Sequence, residues 1–559
     1  MFNKRPYRLI SCSFVFLYSF TMLSSCKKSP EGAVTPPQPP AGASFNFVSL
    51  TVDNLYNGFT YYNVNQQSEI KIRFSAPLSE TSVKNAVTIT SPDAQKAAYS
   101  FSLEDGDSSL LILPDLDLPI TKYNLSVSTQ LQSQSGSKLL SAINLSLITA
   151  IDSTDKFPRI SDSALLTLIQ KQTFRYFWDF AHPVSGMARE RNTSGDIVTT
   201  GGTGFGLMAT IVAIERGFIS RTEGADHIQK ITSFLKDKCT RYHGAFSHWI
   251  NGTTGATIPF SEKDDGADLV ETSFLMQGLL TARAYFNLTD SRETNLRNDI
   301  NALWNAVEWT WFQNNQNVLY WHWSPQFGWQ MNLPVKGWNE ALITYVLAAS
   351  SSGYSITKEV YENGWSGNGS FKNGNTYYGI QLPLGPAYGG PLFFAHYSFL
   401  GIDPNGLKDQ YADYFQQNRS HALINYNYCI TNPKRMNGYS KDVWGLTGSD
   451  DNISGYAVHD PVNDDGVISP TAAVSSMPYT PDESMNAIRF FYYKLGDKIW
   501  GDYGFTDAFN LSTPWFADSY LAIDQGTQIV MIENYRSGLL WKLFMSNPEI
   551  KAGLQKLGF

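Results

Sequence analysis

The spacing of apolar and polar positions changes near residue 156, from a period of two to a period of about 3.6. Before that point, SEIKIRFSAPL, NAVTITS, AAYSFSLED, SSLLILPD, KYNLSVST and NLSLITA alternate apolar with polar residues between turn signals. Six or seven strands at this spacing predict an all-β sandwich over residues 45–152. After it, two kinds of helix are expected. GFGLMATIVAIERG, ETSFLMQGLLTARAYF, NEALITYVLAAS, GPLFFAHYSFLG and TQIVMIENYRSGLLWKLFM are apolar nearly all round, which predicts burial. ADHIQKITSFLKDKCTRY, LRNDINALWNAVEWTWF and NGLKDQYADYFQQ are amphipathic and predict an outer layer.

Alternating outer with inner helices from ALLTLIQKQTFRYFWDF onward predicts about six pairs, PDESMNAIRFFYYKLG being the sixth inner helix. The fold class is then mainly α: a double-layered helical toroid over residues 156–559, preceded by a small sandwich. In a ring of such pairs every segment before an inner helix lies at one mouth. Both SEKDDGADLVE and VKGWNE fall there.

Composition adds the setting. Lys4, Arg5 and Arg8 precede the short apolar run SCSFVFLYSF, and Leu23-Ser24-Ser25-Cys26 follows. Residues 1–26 therefore resemble a bacterial lipoprotein signal, with Cys26 the acylated residue. The Pro-rich stretch 27–44 reads as a tether, which predicts a lipid-anchored protein of the cell envelope. The net charge of −8, with no basic cluster past the signal, argues against a nucleic-acid partner. The cysteines show neither a disulfide framework nor a zinc pattern, and no metal or cofactor is expected. The expected state is a monomer.

Against 16% charged residues overall, the acidic run in SEKDDGADLVETSF stands out. Asp264, Asp268 and Glu271 are spaced four and three apart, which stacks them on one stripe if the segment is helical. A capping box, with Asp268 as N-cap and Glu271 as its partner, accounts for two of the three. Seven of the 14 tryptophans lie between Trp304 and Trp338. Trp321, Trp323, Trp329 and Trp338 fall in Gly/Pro-punctuated sequence, where flat rings can stack on sugars or pack the rim. Glu340 adjoins them. TTGGTGFGLMAT misses the dinucleotide spacing and follows no strand. His396 reads first as a core histidine, although it lies near an inner-helix start. The acid-rich loop 459–473 either lines the mouth or holds a cation.

FSAPLSETSVKNAVTI and LPITKYNLSVSTQLQSQSGSKL resemble bacterial Ig-like modules. GMARERN, DDGADLVETSFLMQGLL, GWNEAL, GPLFFAHYSFLG, GVISPTAA and IENYRSGLL, in that order, resemble the bacterial glucoamylase-like domain of glycoside hydrolase family 144. That resemblance implies an (α/α)6 toroid and inverting cleavage of β-1,2-glucan to sophorose. It also implies Asp264, Asp268, Glu271 and Glu340 as essential acids, with Arg191, Trp338, Asn339, Trp321, Trp323, Trp329 and His396 toward the sugar. The chemistry agrees, since inversion needs a protonated acid and a base on opposite faces of the sugar. An exo-acting α-glucan glucoamylase and a non-catalytic glycan-binding lipoprotein are the alternatives.

Overall fold

The computed structural model describes residues 44–559; Cys26, the signal and all but the last residue of the tether lie outside them. Eight strands make the N-terminal sandwich: β1 (Phe47–Val52), β2 (Thr60–Val64), β3 (Ile70–Phe74), β4 (Val87–Thr90), β5 (Tyr99–Glu104), β6 (Ser109–Pro114), β7 (Lys122–Val127) and β8 (Ile143–Thr149). They form two four-stranded sheets in the orders β1-β3-β6-β5 and β2-β8-β7-β4, with a short helix α1 (Glu80–Ala86) between β3 and β4. Alternation places Ile70, Ile72 and Phe74 inward, with Ile72 paired to Leu110 and Ile70 to Ile112. The sequence pattern misses β1 and β2. Both are edge strands whose outer faces carry apolar residues, Val48 (53% exposed) and Tyr62 (36%), which spoils the alternation.

The second region begins with α2 (Asp162–Trp178), β9 (Ile197–Thr199), α3 (Thr200–Glu215) and α4 (Arg221–Asp237). β10 (Trp249–Asn251), β11 (Thr257–Ile258), β12 (Ala267–Asp268), α5 (Leu269–Tyr285) and α6 (Ser291–Asn305) follow. Next come β13 (His322–Trp323), α7 (Leu342–Ser350), α8 (Lys358–Asn363), α9 (Tyr414–Thr431), α10 (Pro470–Ser475) and α11 (Pro481–Ile499). The chain closes with α12 (Ala522–Ser537), α13 (Leu539–Ser546) and α14 (Pro548–Leu557). The region is mostly helical, and α3, α5 and α7 are buried along nearly their whole length.

α5 packs on α3 and α7, while α12 packs on α3 and α10. The amphipathic helices lie outside: α2 on α12 and α3, α4 on α3 and α6, α11 on α10. The glycine-rich start of α3 is a packing device. A Cβ on Gly204 would meet the Phe274 carbonyl oxygen at 2.2 Å, and one on Gly278 would meet the Gly204 oxygen at 2.1 Å. Only bare backbones let α3 and α5 approach this closely. The IENYRSGLL segment ties α12 to α3, since Arg216, the C-cap of α3, donates two 2.7 Å bonds to Glu533 of α12.

Three expected elements differ. GPLFFAHYSFLG forms two 3-10 turns, Leu392–Ala395 and Ser398–Leu400, because Gly389, Gly390 and Pro391 bend the chain just before it. In NGLKDQYADYFQQ the helix starts only at Tyr414, capped by Asp413, while Asp409 holds the preceding residues in a turn. PDESMNAIRFFYYKLG, as α11, is an outer helix, and the short α10 takes the buried place instead. Among the described residues no helix is long and apolar enough to cross a membrane.

Candidate active site

Asp268 ends β12 and caps α5, accepting from the backbone N–H of Val270 at 3.0 Å and of Glu271 at 2.9 Å. The expected capping box is only half formed. Glu271 turns away to the start of α3, where Gly201 N–H donates to Oε2 at 2.7 Å and Thr199 Oγ1 lies at 3.3 Å. A Cβ on Gly201 would sit 2.7 Å from that same oxygen, so glycine is required there. Asp264 is not on the helix at all; it lies in the turn before β12. The helical stripe expected from the spacing is therefore a cap and a turn.

Two histidines draw these acids together. β12 pairs with β13 so that Asp268 stands opposite His322. His322 Nε2 lies 3.2 Å from Asp264 Oδ2 and 3.4 Å from Asp268 Oδ2, and His248 Nδ1 lies 3.3 Å from the latter. Burial alone would lower both imidazoles, yet the facing carboxylates push His322 up to about 10 and His248 up to about 9. Burial would likewise raise Asp268, but the hydrogen bonds from His248 and His322 hold it below the ordinary carboxylate range. Glu271 goes the other way: burial raises it, His248 opposes, and the charge on Asp268 adds to the rise.

Glu340 stands at the start of α7, half-buried. Burial first, then the charges of Glu271 and Asp268, push its carboxyl up to about 7. A second acid group, with no local signal in the sequence, comes from three separate segments: Asp450, Asp507 and Asp524 at the start of α12. Arg191 NH1 donates to both Asp450 oxygens at 3.0 and 3.1 Å, and Asp450 N–H donates to Asp507 Oδ2 at 2.6 Å. Asp507 and Asp524 each shift the other's titration, and Asp507 Oδ1 and Asp524 Oδ2 are buried without a hydrogen-bond partner. Burial, then Asp450, pushes Asp507 up to about 7; burial, then Asp507, raises Asp524 well above its usual range. The Tyr397 and Tyr456 hydroxyls feel the charges of both this pair and Glu340. A cavity of about 310 Å³ opens among Arg191, His248, Glu271, Tyr456, Leu521 and Ile523.

Comparison with known proteins gives the family. Sequence models match the bacterial Ig-like domain over residues 48–149 and the glycoamylase family over residues 332–548. The chain is 53% identical to the endo-β-1,2-glucanase of Chitinophaga pinensis, solved with sophorotriose and glucose; the match covers 72% of this chain and 99% of that one, with a TM-score of 0.70. It belongs to the glycoamylase family. A β-1,2-glucanase structure from Parabacteroides distasonis is 38% identical and covers 92% of this chain and 74% of that one, with a TM-score of 0.70. An exo β-1,2-glucooligosaccharide sophorohydrolase of the same species is 46% identical over 440 residues, 74% of this chain. The match spans 60% of that relative's length.

Within this glycoamylase domain the remaining expected residues separate. Arg191 lines the cavity. Trp321 is half-buried and lies nearly parallel to His322, with centroids 5.9 Å apart. Trp323, one residue on, points to the opposite face and meets His243 edge-on, and Trp329 lines a separate cavity. Trp338 does not offer a face to solvent: it is 4% exposed and packs among Trp365, Phe399 and Tyr414. Asn339 accepts from Ala341 N–H at 2.9 Å and shapes the entry to α7. His396 is a core histidine after all, bonded to Ser476 and lowered to about 3 by burial. The loop 459–473 is structural at Asp464, which accepts from Tyr428, Tyr439 and Gly466 N–H.

Among the described residues, His248, Asp264 and Asp268 are the grouping that could take a metal, with ligand atoms within 4.8 Å of one another. The two imidazoles already supply the positive charge that such a cation would bring.

Proposed function

We propose that this protein is a glycoside hydrolase that cleaves β-1,2-glucan to sophorose-type oligosaccharides with inversion. The observation that carries the reading is Glu340: its carboxyl is kept protonated to about pH 7 beside a wall of ionised and hydrogen-bonded acids. Such a group can protonate a leaving oxygen at neutral pH. Inversion needs a base on the other face of the sugar. We assign that base to the Asp507–Asp524 pair, whose charges reach the same Tyr397 and Tyr456 hydroxyls as the charge of Glu340 does. Asp264 and Asp268 are engaged by imidazoles and act as positioning groups. Glu271, Arg191 and Trp321 then face the sugar.

The likeness to the Chitinophaga and Parabacteroides enzymes supports the linkage. The alternating buried and amphipathic helices, with α12 packed back on α3, support an (α/α)6 toroid. Cys26 is proposed as the lipidated residue that anchors the chain to the cell envelope.

The test is the product profile on linear β-1,2-, β-1,3- and α-1,4-glucans, with the first-formed anomer read by NMR. Sophorose-series sugars of α configuration are expected from β-1,2-glucan alone. Products from α-1,4-glucan only, or β-anomers formed first, would overturn the assignment. Sophorose as the sole early product would mark exo action, and a ladder of sizes endo action.

A further inference from the structure

β13 sends successive side chains to opposite faces, His322 to the acids and Trp323 to a second aromatic group. That group centres on Trp311, which the sequence pattern assigns to helix packing. Trp311 is instead 41% exposed, the one exposed tryptophan among the described residues. Its other surroundings are built. One face stacks on His243, with centroids 3.8 Å apart and planes 15° apart, and Glu308 Oε2 holds that imidazole at Nδ1, 2.8 Å away. Trp323 and Trp329 buttress it at 6.4 and 6.2 Å.

Beside this ring lies a cavity of about 360 Å³, lined by Glu308, Trp311, Asn314, Asn315, Trp329 and Tyr354. Tyr354 is 37% exposed. Asn314 and Asn315 both adopt left-handed backbone, with φ of 47° and 57°, which turns the chain sharply at the cavity edge. A flat ring held rigid from behind, facing a polar recess with amides and a carboxylate, matches the two faces of a pyranose. The ring takes the C–H face and the amides take the hydroxyls. The volume is at the low end of small-ligand pockets, ~300–1,000 Å³, which suits a sugar unit or two.

We propose that this cavity is a second carbohydrate-binding site that holds a glucosyl unit of the glucan chain away from the acid pocket. The proposal rests on the glucan-hydrolase reading, and it adds a function that the acid pocket does not need: retaining a long chain on the enzyme. On this proposal the site acts on polymer rather than on short oligosaccharides.

The experiment compares Trp311→Ala and Trp311→Phe with the unsubstituted chain on long β-1,2-glucan and on short β-1,2-linked oligosaccharides. Trp311→Ala should raise KM for the polymer by ~3- to 10-fold, the worth of one aromatic stack, with kcat unchanged. Kinetics on the short substrates should not move, and Trp311→Phe should recover most of the loss. An unchanged polymer KM overturns the site. An equal loss on short and long substrates also overturns it, because the effect would then be structural, transmitted through Trp323 to His322. Failure of the unsubstituted chain to cleave any β-1,2-glucan would overturn the functional reading instead. In that event, retention in a β-glucan affinity gel that Trp311→Ala abolishes would still support the site.

Discussion

Two groups of acids stand near the candidate pocket, and buried carboxyls titrate differently in them: Asp268 of one is held low, whereas Asp507 and Asp524 of the other are raised. At the start of α5, Asp264 and Asp268 meet two imidazoles, and Asp268 stays ionised despite complete burial. At the start of α12, the positive charge beside the acids is Arg191, which Asp450 and Glu190 already engage. Among the described residues neither Asp507 nor Asp524 forms an ion pair, and burial with the charge of the neighbouring acids raises both. The residue types are the same in both places; what differs is the ratio of cations to carboxylates at equal burial. That ratio decides which carboxyl group can take up or release a proton near neutral pH, and which one is locked.

The largest test of this contrast is Asp524→Asn. It should lower glucan turnover by ~10²- to 10⁴-fold, as loss of a general base does, with the fold intact. Thermal stability should hold or rise, because an amide carries no charge to raise the partner acid. If Asp524→Asn retains near-normal turnover, the base lies in the α5 group and the two roles must be exchanged.

Next is His322→Gln, which should invert the pattern in stability. Removing one partner leaves Asp264 and Asp268 facing each other in a buried site, at a cost of ~3–5 kcal/mol, read as a lower denaturation midpoint. The pH dependence carries a sign. Folding raises His322 from 6.5 to about 10, so its contribution is fully present below pH 6.5 and is lost as pH rises through about 10. The gap between variant and parent should therefore close in alkali, and a gap constant with pH would mean simple packing loss.

Asp268→Asn is milder. Asparagine caps a helix about as well as aspartate, so α5 should persist. Each of the two imidazole bonds loses its charge assistance, about 1 kcal/mol apiece, and the titrations of His248 and His322 should move back toward the ordinary histidine value. Unshifted imidazole titrations by NMR would show that Asp268 does not govern them.

The smallest effect is the alkaline limb of the unsubstituted chain. Glu340, raised from 4.5 to about 7, binds its proton more tightly when folded. Activity that needs the protonated form should fall about tenfold per pH unit beyond that point. The stability linked to this group is present below pH 4.5 and lost as pH rises through about 7, so Glu340→Gln should become relatively more stable in alkali.

The periodicity of the chain was enough for the change of architecture near residue 156, for most buried and outer helices, and for Asp268 as a helix cap. Each of these depends on neighbours within a turn or two, so local spacing records it. Glu340 was legible for the same reason, as an acid opening a buried helix beside aromatic residues. The errors also have local causes. The sequence of α11 reads as an inner helix because its amphipathic stripe is wide, and GPLFFAHYSFLG reads as a helix although Gly389, Gly390 and Pro391 bend the entry. Trp338 is packed in the core while Trp311 is exposed, since a tryptophan's spacing does not reveal which face its neighbours cover.

What only the tertiary structure decided is the company each acid keeps. His322 reaches Asp264 and Asp268 through a two-residue strand pairing, and His248 arrives from another loop. Asp450, Asp507 and Asp524 lie up to a whole helix pair apart in the chain; Arg191 holds Asp450, whose backbone N–H donates to Asp507. Protonation depends on charges within a few ångströms, whatever their distance along the sequence. The chain by itself therefore specifies where the acids stand along its elements. Which of them carry a proton is settled only when the elements close around the pocket and bring some acids a cation and others only each other.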